Sequence, residues 1–381
     1  MPARITYLQL LAIIIFLIPS VNLIKLRIEN SYLRLVYTAY IFWSFLVIVR
    51  GLEFSKEFIF DTLIDGSGGI FLYLTPLILL FPNNLSHLRK VISAILILSV
   101  VYFLCIIIFL NPLIYDIDLG QLLIEYFTKF LGFTCGFVLF LIIYQKNKNQ
   151  TWGFFGKLWA FMIIILTLLL AVIRARRGLI FMSVNILLIT YVLYNLAAKN
   201  NLFYKVFPLF IVAFLSLFAV KIFESKNPGA FKLLTERINE DTRGEVEDYF
   251  YLDMTKKDWL VGRGMNGTFF CPTGVTEDGY RLGIETDYLT IILKGGIISL
   301  GLLFLITVPA VFLGLFYSKN ILTKASACWI LLWLINLFPS TVTTFSLSYL
   351  LVWICVAICF SKAIREMPEK ELKEKFNFRI F

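Results

Sequence analysis

The stretch Glu285-Thr286-Asp287-Tyr288-Leu289-Thr290-Ile291-Ile292-Leu293-Lys294-Gly295-Gly296-Ile297-Ile298-Ser299 marks the point where a polar sequence turns back into an apolar one. Its first apolar part, 288–293, is too short to cross a bilayer, for which roughly 20 residues are needed. Lys294-Gly295-Gly296 then breaks it ahead of a full-length apolar run, 297–317. A short helix at membrane depth is tolerated only where it lines a cavity or is buried in protein, so a re-entrant segment is expected here. Upstream lies a polar, charged stretch from Glu224, and before that another apolar run, 202–223. In a chain that is otherwise apolar, a large hydrophilic loop of this kind is where aqueous chemistry belongs. Polar groups are too unfavourable to leave in hydrocarbon.

Composition settles the class. Hydrophobic residues make up 59% of the 381, with 38 Phe. The mean hydropathy is +0.84. A soluble domain is nearer one half apolar. The length would allow two soluble domains, but the apolar runs argue for one helical bundle in lipid. A net charge of +10 in a soluble protein would point to nucleic acid. Here Lys and Arg collect in loops and fix orientation instead, so no nucleic-acid partner is expected. Of six Cys, five (Cys105, Cys135, Cys328, Cys355, Cys359) lie in apolar runs and Cys271 stands alone in the large loop. No disulfide framework follows. The single His, His87, excludes a His-rich metal site, and neither metal nor cofactor is expected. No cleavable signal peptide is evident, because the first apolar run lacks a small-residue cleavage site and many more runs follow.

Working along the chain, about eleven segments meet the length and apolarity of a span. They are 7–24, 33–50, 63–81, 91–110, 122–144, 155–173, 179–197, 202–223, 297–317, 321–338 and 342–361. The third is interrupted by Gly66, Ser67, Gly68 and Gly69 and reads as broken or partly re-entrant. Glu125 and Lys129 in the fifth are spaced for a structural ion pair on one helical face. The expected fold is an all-α polytopic membrane protein. Its parts are an N-terminal bundle over 1–223, a large loop over 224–296, C-terminal spans over 297–361 and a tail over 362–381. Basic residues in the loops at Lys25 to Arg34, Arg89-Lys90, Lys146 to Lys157, Lys199 to Lys205 and Lys319 to Lys324 fall on one side, as does the tail. That side is assigned to the cytoplasm. The large loop then faces outward and the C-terminus inward.

One turn breaks the pattern. Arg174, Arg176 and Arg177, followed by Gly178, sit between the sixth and seventh spans and so face outward. Interfacial snorkelling or a misassigned topology is the bland account. The functional account is an anion site: Arg is always charged, its planar fork matches phosphate oxygens, and Gly178 lets backbone approach a ligand. Within the large loop, Thr242-Arg243-Gly244-Glu245 fits a capping box. A helix from there to about Met254 would put Val246, Tyr249 and Phe250 on one face, as in an amphipathic helix over a membrane or cavity. Gly262-Arg263-Gly264 reads as a turn. Arg281 comes shortly before Glu285 and Asp287.

Taken in order, these features resemble the O-antigen polymerase and O-antigen ligase superfamily of bacterial polysaccharide assembly. The residues that carry the resemblance are Arg177-Gly178, Arg243, Gly262-Arg263-Gly264, and Glu285-Thr286-Asp287-Tyr288-Leu289 with Gly295-Gly296. It covers roughly 170–310; the other spans match in hydropathy only. Ligases of the superfamily typically show His-Asn where this chain has Glu285-Thr286, and His87 lies in a loop read as cytoplasmic. The departure favours the polymerase branch. The resemblance implies a C-type glycosyltransferase-like helical bundle in the bacterial inner membrane. It also implies oligosaccharide repeats carried on undecaprenyl pyrophosphate as substrate, no metal requirement, and membrane lipid and a chain-length regulator protein as partners.

The residue types suit that chemistry. Pyrophosphate leaves with developing negative charge, which preorganised cations stabilise best in a water-poor site. Arg177 and Arg243 are the first candidates, with Arg174, Arg176, Arg263 and Arg281 for holding phosphates. A carboxylate can act as general base toward the attacking hydroxyl. Glu285 is the leading candidate and Asp287 the second; acidic residues complementing a helix dipole are the bland alternative for both. Tyr249, Phe250, Tyr251 and Trp259 suit sugar stacking or, more simply, interfacial anchoring. A ligase passing polymer to an acceptor lipid is the alternative enzyme. A polysaccharide flippase is the alternative of another class, although internal repeats, common in transporters, are not evident.

Overall fold

Small polar residues in front of apolar runs decide where many of the helices begin. In the computed structural model, which describes residues 28–52, 69–81, 84–141, 151–174, 176–197, 243–272 and 279–376, Asn30 accepts the Leu33 N–H at the start of α1 (Ser31–Arg50). Helix α2 (Ile70–Leu74) runs into a tight 3₁₀ segment at Thr75–Leu80. Asn84 caps α3 (Leu85–Ile108). After the short α4 (Leu110–Tyr115), Asp116 caps α5 (Ile117–Phe127) by accepting the Leu119 N–H. Each such cap satisfies a backbone donor that the helix itself leaves open.

The fifth expected span is not one continuous α-helix. After α5 the backbone loosens into a π turn over Thr128–Gly132 before α6 (Cys135–Phe140). Helices α7 (Thr151–Ile173) and α8 (Arg177–Ala197) follow, then α9 (Gly244–Asp253) and α10 (Lys256–Val261) in the polar loop. Two short strands, β1 (Phe269–Phe270) and β2 (Tyr280–Arg281), pair antiparallel. The chain continues as α11 (Asp287–Phe316), α12 (Ile321–Asn336), α13 (Leu347–Phe360), α14 (Lys362–Arg365) and α15 (Glu369–Lys375). Regular structure among the described residues is thus helical apart from one small hairpin. Four helices, at Ser31–Arg50, Leu85–Ile108, Arg177–Leu196 and Asp287–Phe316, are long and apolar enough to cross a membrane, and shorter apolar helices accompany them. The protein has the make-up of a helical membrane protein. The expected spans at 7–24 and 202–223 lie outside the described residues.

The chain forms two compact units. The first takes in Met1–Asn83, Asp241–Tyr317 and Trp333–Arg365. Its centre is the break in α11. Gly296 has φ 70°, so the helix that starts at Asp287 stops there and a second begins at once. A break strands the last carbonyls of the first segment, and the polar loop supplies their partners. Arg263 N–H donates to the Leu293 carbonyl (2.8 Å) and Gly264 N–H to that of Lys294 (2.9 Å). The Trp43 indole donates to the Gly295 carbonyl at 2.9 Å. Met265 N–H meets the Val47 carbonyl near the end of α1 at 3.0 Å. Contact this close needs glycine: a Cβ on Gly262 would lie 2.5 Å from the Lys294 carbonyl, and one on Gly296 would lie 2.1 Å from that of Leu260. The Gly-x-Gly turn and the Lys-Gly-Gly break are therefore two halves of one joint.

The second unit takes in Asn84–Glu240, Ser318–Leu332 and Glu366–Phe381. Several of its polar groups are paired inside an apolar core. Tyr102 and Thr167 hydroxyls lie 2.9 Å apart, and the Trp159 indole donates to Ser99 at 2.8 Å. Phe137, Phe140 and Trp329 meet edge-on. The Glu369 carboxylate accepts the Ile321 N–H at 2.8 Å, so the C-terminal tail caps the start of α12.

Candidate active site

The polar loop is held by a cluster of aromatic rings and one arginine. Phe250, on α9, is fully buried and meets Tyr251, Trp259 and Phe269 edge-on. Val246 and Tyr249 pack on the same cluster, as the helical spacing of α9 anticipates. The capping box was expected at Thr242, which lies outside the described residues. Arg243 holds the N-cap position and makes no side-chain cap bond there. A capping box does occur one helix later, where Thr255 and Asp258 cap α10 reciprocally. A threonine followed by an acid three residues on occurs in both places, so the motif alone does not choose between them.

Arg263 has an internal task. Its guanidinium donates to both Asp253 and Asp258 carboxylates (2.5 and 2.9 Å) and to the Thr268 and Asp253 carbonyls (2.7 and 2.6 Å). Its Nε adds a bond to Asp258 at 3.1 Å. All five N–H groups of the fork are thereby engaged inside the loop, which leaves none for a phosphate. Burial would raise the Asp258 carboxyl pKa, but hydrogen bonds from Arg263 and Thr255 outweigh it and hold the group below its usual range. Arg281 lies on β2, where it faces Phe269 across the hairpin.

Glu285 and Arg243 come together although 42 residues separate them. Arg243 Nε donates to the Glu285 carboxylate at 2.9 Å. The Glu285 side chain is 71% exposed, so the pair stands open to a ligand. Next to it, the Thr286 hydroxyl donates to the Glu247 carboxylate. This explains why Thr286 stands at the N-cap of α11 without capping it. Tyr288 stacks on Phe338 with ring centres 5.9 Å apart and planes within 14°. Tyr251 stacks in turn on Trp259.

Asp287, the second candidate base, is placed differently. It is 1% exposed, and its Oδ2 accepts the backbone N–H groups of Val342 and Thr343 at 2.9 and 2.5 Å. It pins the segment between α12 and α13 against the start of α11. Tyr288 N–H adds a bond to the Leu337 carbonyl at 3.3 Å, and the Thr341 hydroxyl lies 3.5 Å from the Glu285 carbonyl oxygen.

Glu247, Phe338 and Thr341 escaped the sequence reading. The signal for the last two was present in Phe338-Pro339-Ser340-Thr341-Val342-Thr343-Thr344-Phe345-Ser346, a hydroxyl-rich run between two apolar ones. Hydropathy alone treats such a run as a brief gap between spans.

The basic turn belongs to the second unit. Arg174 is buried, and its guanidinium donates to the Leu113 and Pro112 carbonyls at 2.5 and 3.0 Å. It thus serves the C-terminal end of α4, where a cation also complements the helix dipole. Arg176 pairs with Glu125 at 3.5 Å. The side chain of Lys129, the partner expected for Glu125, lies outside the described residues. Arg177 is exposed at the first position of α8, with Gly178 next to it. Among the described residues no cluster of His, Cys, Asp and Glu could hold a metal ion. Comparison with protein-family models, curated proteins and solved structures finds no match to this chain.

Proposed function

We propose that the chain is a membrane glycosyltransferase that polymerises lipid-linked oligosaccharide repeats, and that Arg243 and Glu285 carry the reaction. The observation that carries this reading is their ion pair, whose carboxylate is 71% exposed, on a residue three positions before Tyr288, which stacks on Phe338. Carbohydrate recognition combines aromatic faces, which cover the apolar C–H face of a sugar, with carboxylates and guanidinium groups that bond its hydroxyls. The site offers both in one place.

In the reaction, a sugar hydroxyl of one lipid-linked repeat attacks the anomeric carbon of a glycan held on undecaprenyl pyrophosphate. The new C–O bond forms as the bond from the anomeric carbon to the pyrophosphate oxygen breaks. Undecaprenyl pyrophosphate departs with that electron pair, and the hydroxyl proton passes to the Glu285 carboxylate. Arg243 compensates the charge that develops on the leaving oxygen. In the resting protein each partner neutralises the other. An arriving pyrophosphate competes for Arg243 and so frees the Glu285 oxygen for the acceptor hydroxyl. Arg177, exposed at the head of α8, is a second candidate for holding lipid-borne phosphate. The reading places the chain in a bacterial inner membrane, with the loop outside and the C-terminus in the cytoplasm.

The direct test is full-length protein in lipid vesicles supplied with lipid-linked repeats extracted from a strain that lacks it. Wild type should lengthen the glycan and release undecaprenyl pyrophosphate in step. Glu285→Gln and Arg243→Ala should each slow this by roughly 100-fold or more. Unchanged rates in both variants would contradict the assignment.

A further inference from the structure

We infer that the segment linking α12 to α13 is the acceptor-sugar subsite, with Phe338 and Thr341 touching the sugar and Asp287 as the positioning residue that fixes the segment. The inference rests on the glycosyltransferase reading; to the Tyr288–Phe338 stack which that reading already uses, it adds Thr341 and Asp287.

Most hydroxyls of the segment have local tasks. Ser346 caps α13, Thr344 bonds Ser346, and Ser340 bonds the Asn336 carbonyl at the end of α12. Thr341 differs. Its hydroxyl makes only a 3.5 Å contact, and the acceptor there is the main chain of the candidate base, Glu285. A hydroxyl held so loosely beside the base is readily redirected to a ligand hydroxyl. Three residues earlier, Phe338 is 68% exposed, and its ring is held in place by stacking on Tyr288. An aromatic face and a hydroxyl on one short segment match a pyranose, whose axial C–H groups make an apolar face and whose hydroxyls line its rim.

Asp287 makes the segment rigid. A buried carboxylate accepting two consecutive backbone N–H groups fixes both the height and the direction of the chain between Thr341 and Thr343. Burial among bonds to main chain keeps it from the reacting atoms. This gives Asp287 a role that a general base could not share, and the two roles respond oppositely to amidation. Asparagine keeps an acceptor oxygen for the two N–H groups but cannot take a proton.

The experiment measures binding of the isotope-labelled single repeat, cut from its lipid carrier, to the full-length protein in vesicles, alongside glycan extension. Thr341→Val and Phe338→Leu should each weaken binding by about 3- to 10-fold. Asp287→Ala should weaken it at least as much, while Asp287→Asn restores both binding and extension to near wild type. The subsite is overturned if Thr341→Val and Phe338→Leu bind like wild type, or if wild type binds no repeat while still extending glycan. Loss of extension in Asp287→Asn with binding intact would make Asp287 the base and overturn its positioning role. A wild type that binds the repeat but extends nothing would sink the polymerase reading and leave the sugar subsite standing.

Discussion

At the scale of single residues, the arginines of the polar loop divide by what they already hold. Arg263 has spent its fork on Asp253, Asp258 and two carbonyls, whereas Arg243 meets one exposed carboxylate. The sequence reading put Arg243 first and kept Arg263 as a candidate for holding phosphate. Their partners lie in the loop and across it, and no spacing rule reaches from Arg243 to Glu285. The Arg263 hub carries a pH dependence. The Asp258 carboxyl is held below the ordinary aspartate value of 3.8, so its contribution to the fold is fully present above that value. It is lost as the pH falls through the lowered value. Hydrogen exchange of the segment 263–268, corrected for intrinsic rate, should stay slow from neutral pH down to about 4 and quicken below it. In Asp258→Asn this segment should already exchange faster at neutral pH, and the acid-dependent step should shrink.

At the scale of elements, the apolar runs were legible, because hydropathy is a local property, whereas the asparagines that start helices there went unread. Asn30 and Asn84 begin helices that contain most of two expected spans. The break at Lys294-Gly295-Gly296 was also legible, because glycine beside a short apolar run signals a stop. What it breaks for was not. Leu293, Lys294 and Gly295 turn their carbonyls to Arg263, Gly264 and Trp43, partners between about 30 and 250 residues away in the chain. The π turn over Thr128–Gly132 was likewise hidden inside an uninterrupted apolar run. The joint predicts an asymmetry between two glycines of α11. Gly296→Ala places a methyl group 2.1 Å from the Leu260 carbonyl oxygen at a φ of +70°, whereas a Cβ at Gly301 meets nothing within 4 Å. Gly296→Ala should destabilise the fold by roughly 3 kcal/mol or more. Gly301→Ala should be neutral or slightly stabilising. Thermal unfolding of the two variants in detergent checks the contrast, and equal unfolding temperatures would remove the joint from its central place.

At the scale of the whole molecule, composition and apolar helices make this a membrane protein, and one polar loop gathers charge, aromatic faces and hydroxyls beside the start of α11. The loop is tightly bonded where it meets the break and open where Glu285 meets Arg243, a division that suits the proposed site. For function the sequence offers only residue types suited to the proposed class of chemistry. A pyrophosphate leaving group suits arginine and a carboxylate, and the sequence offers several of each; among the described residues, folding joins Arg243 to the most exposed carboxylate that any arginine pairs with, Glu285. The measurement that tests this most directly is the length distribution of lipid-linked and surface glycan in a strain deleted for this protein, complemented with wild type, Arg243→Ala or Glu285→Gln. The account predicts single repeats exported but not extended in the deletion strain, with long chains restored by wild type and by neither variant. Normal chain lengths in the deletion strain, or in both variants, would contradict it. Full-length polymer stranded on its carrier would instead identify a ligase, and repeats that never reach the outer face would identify a transporter.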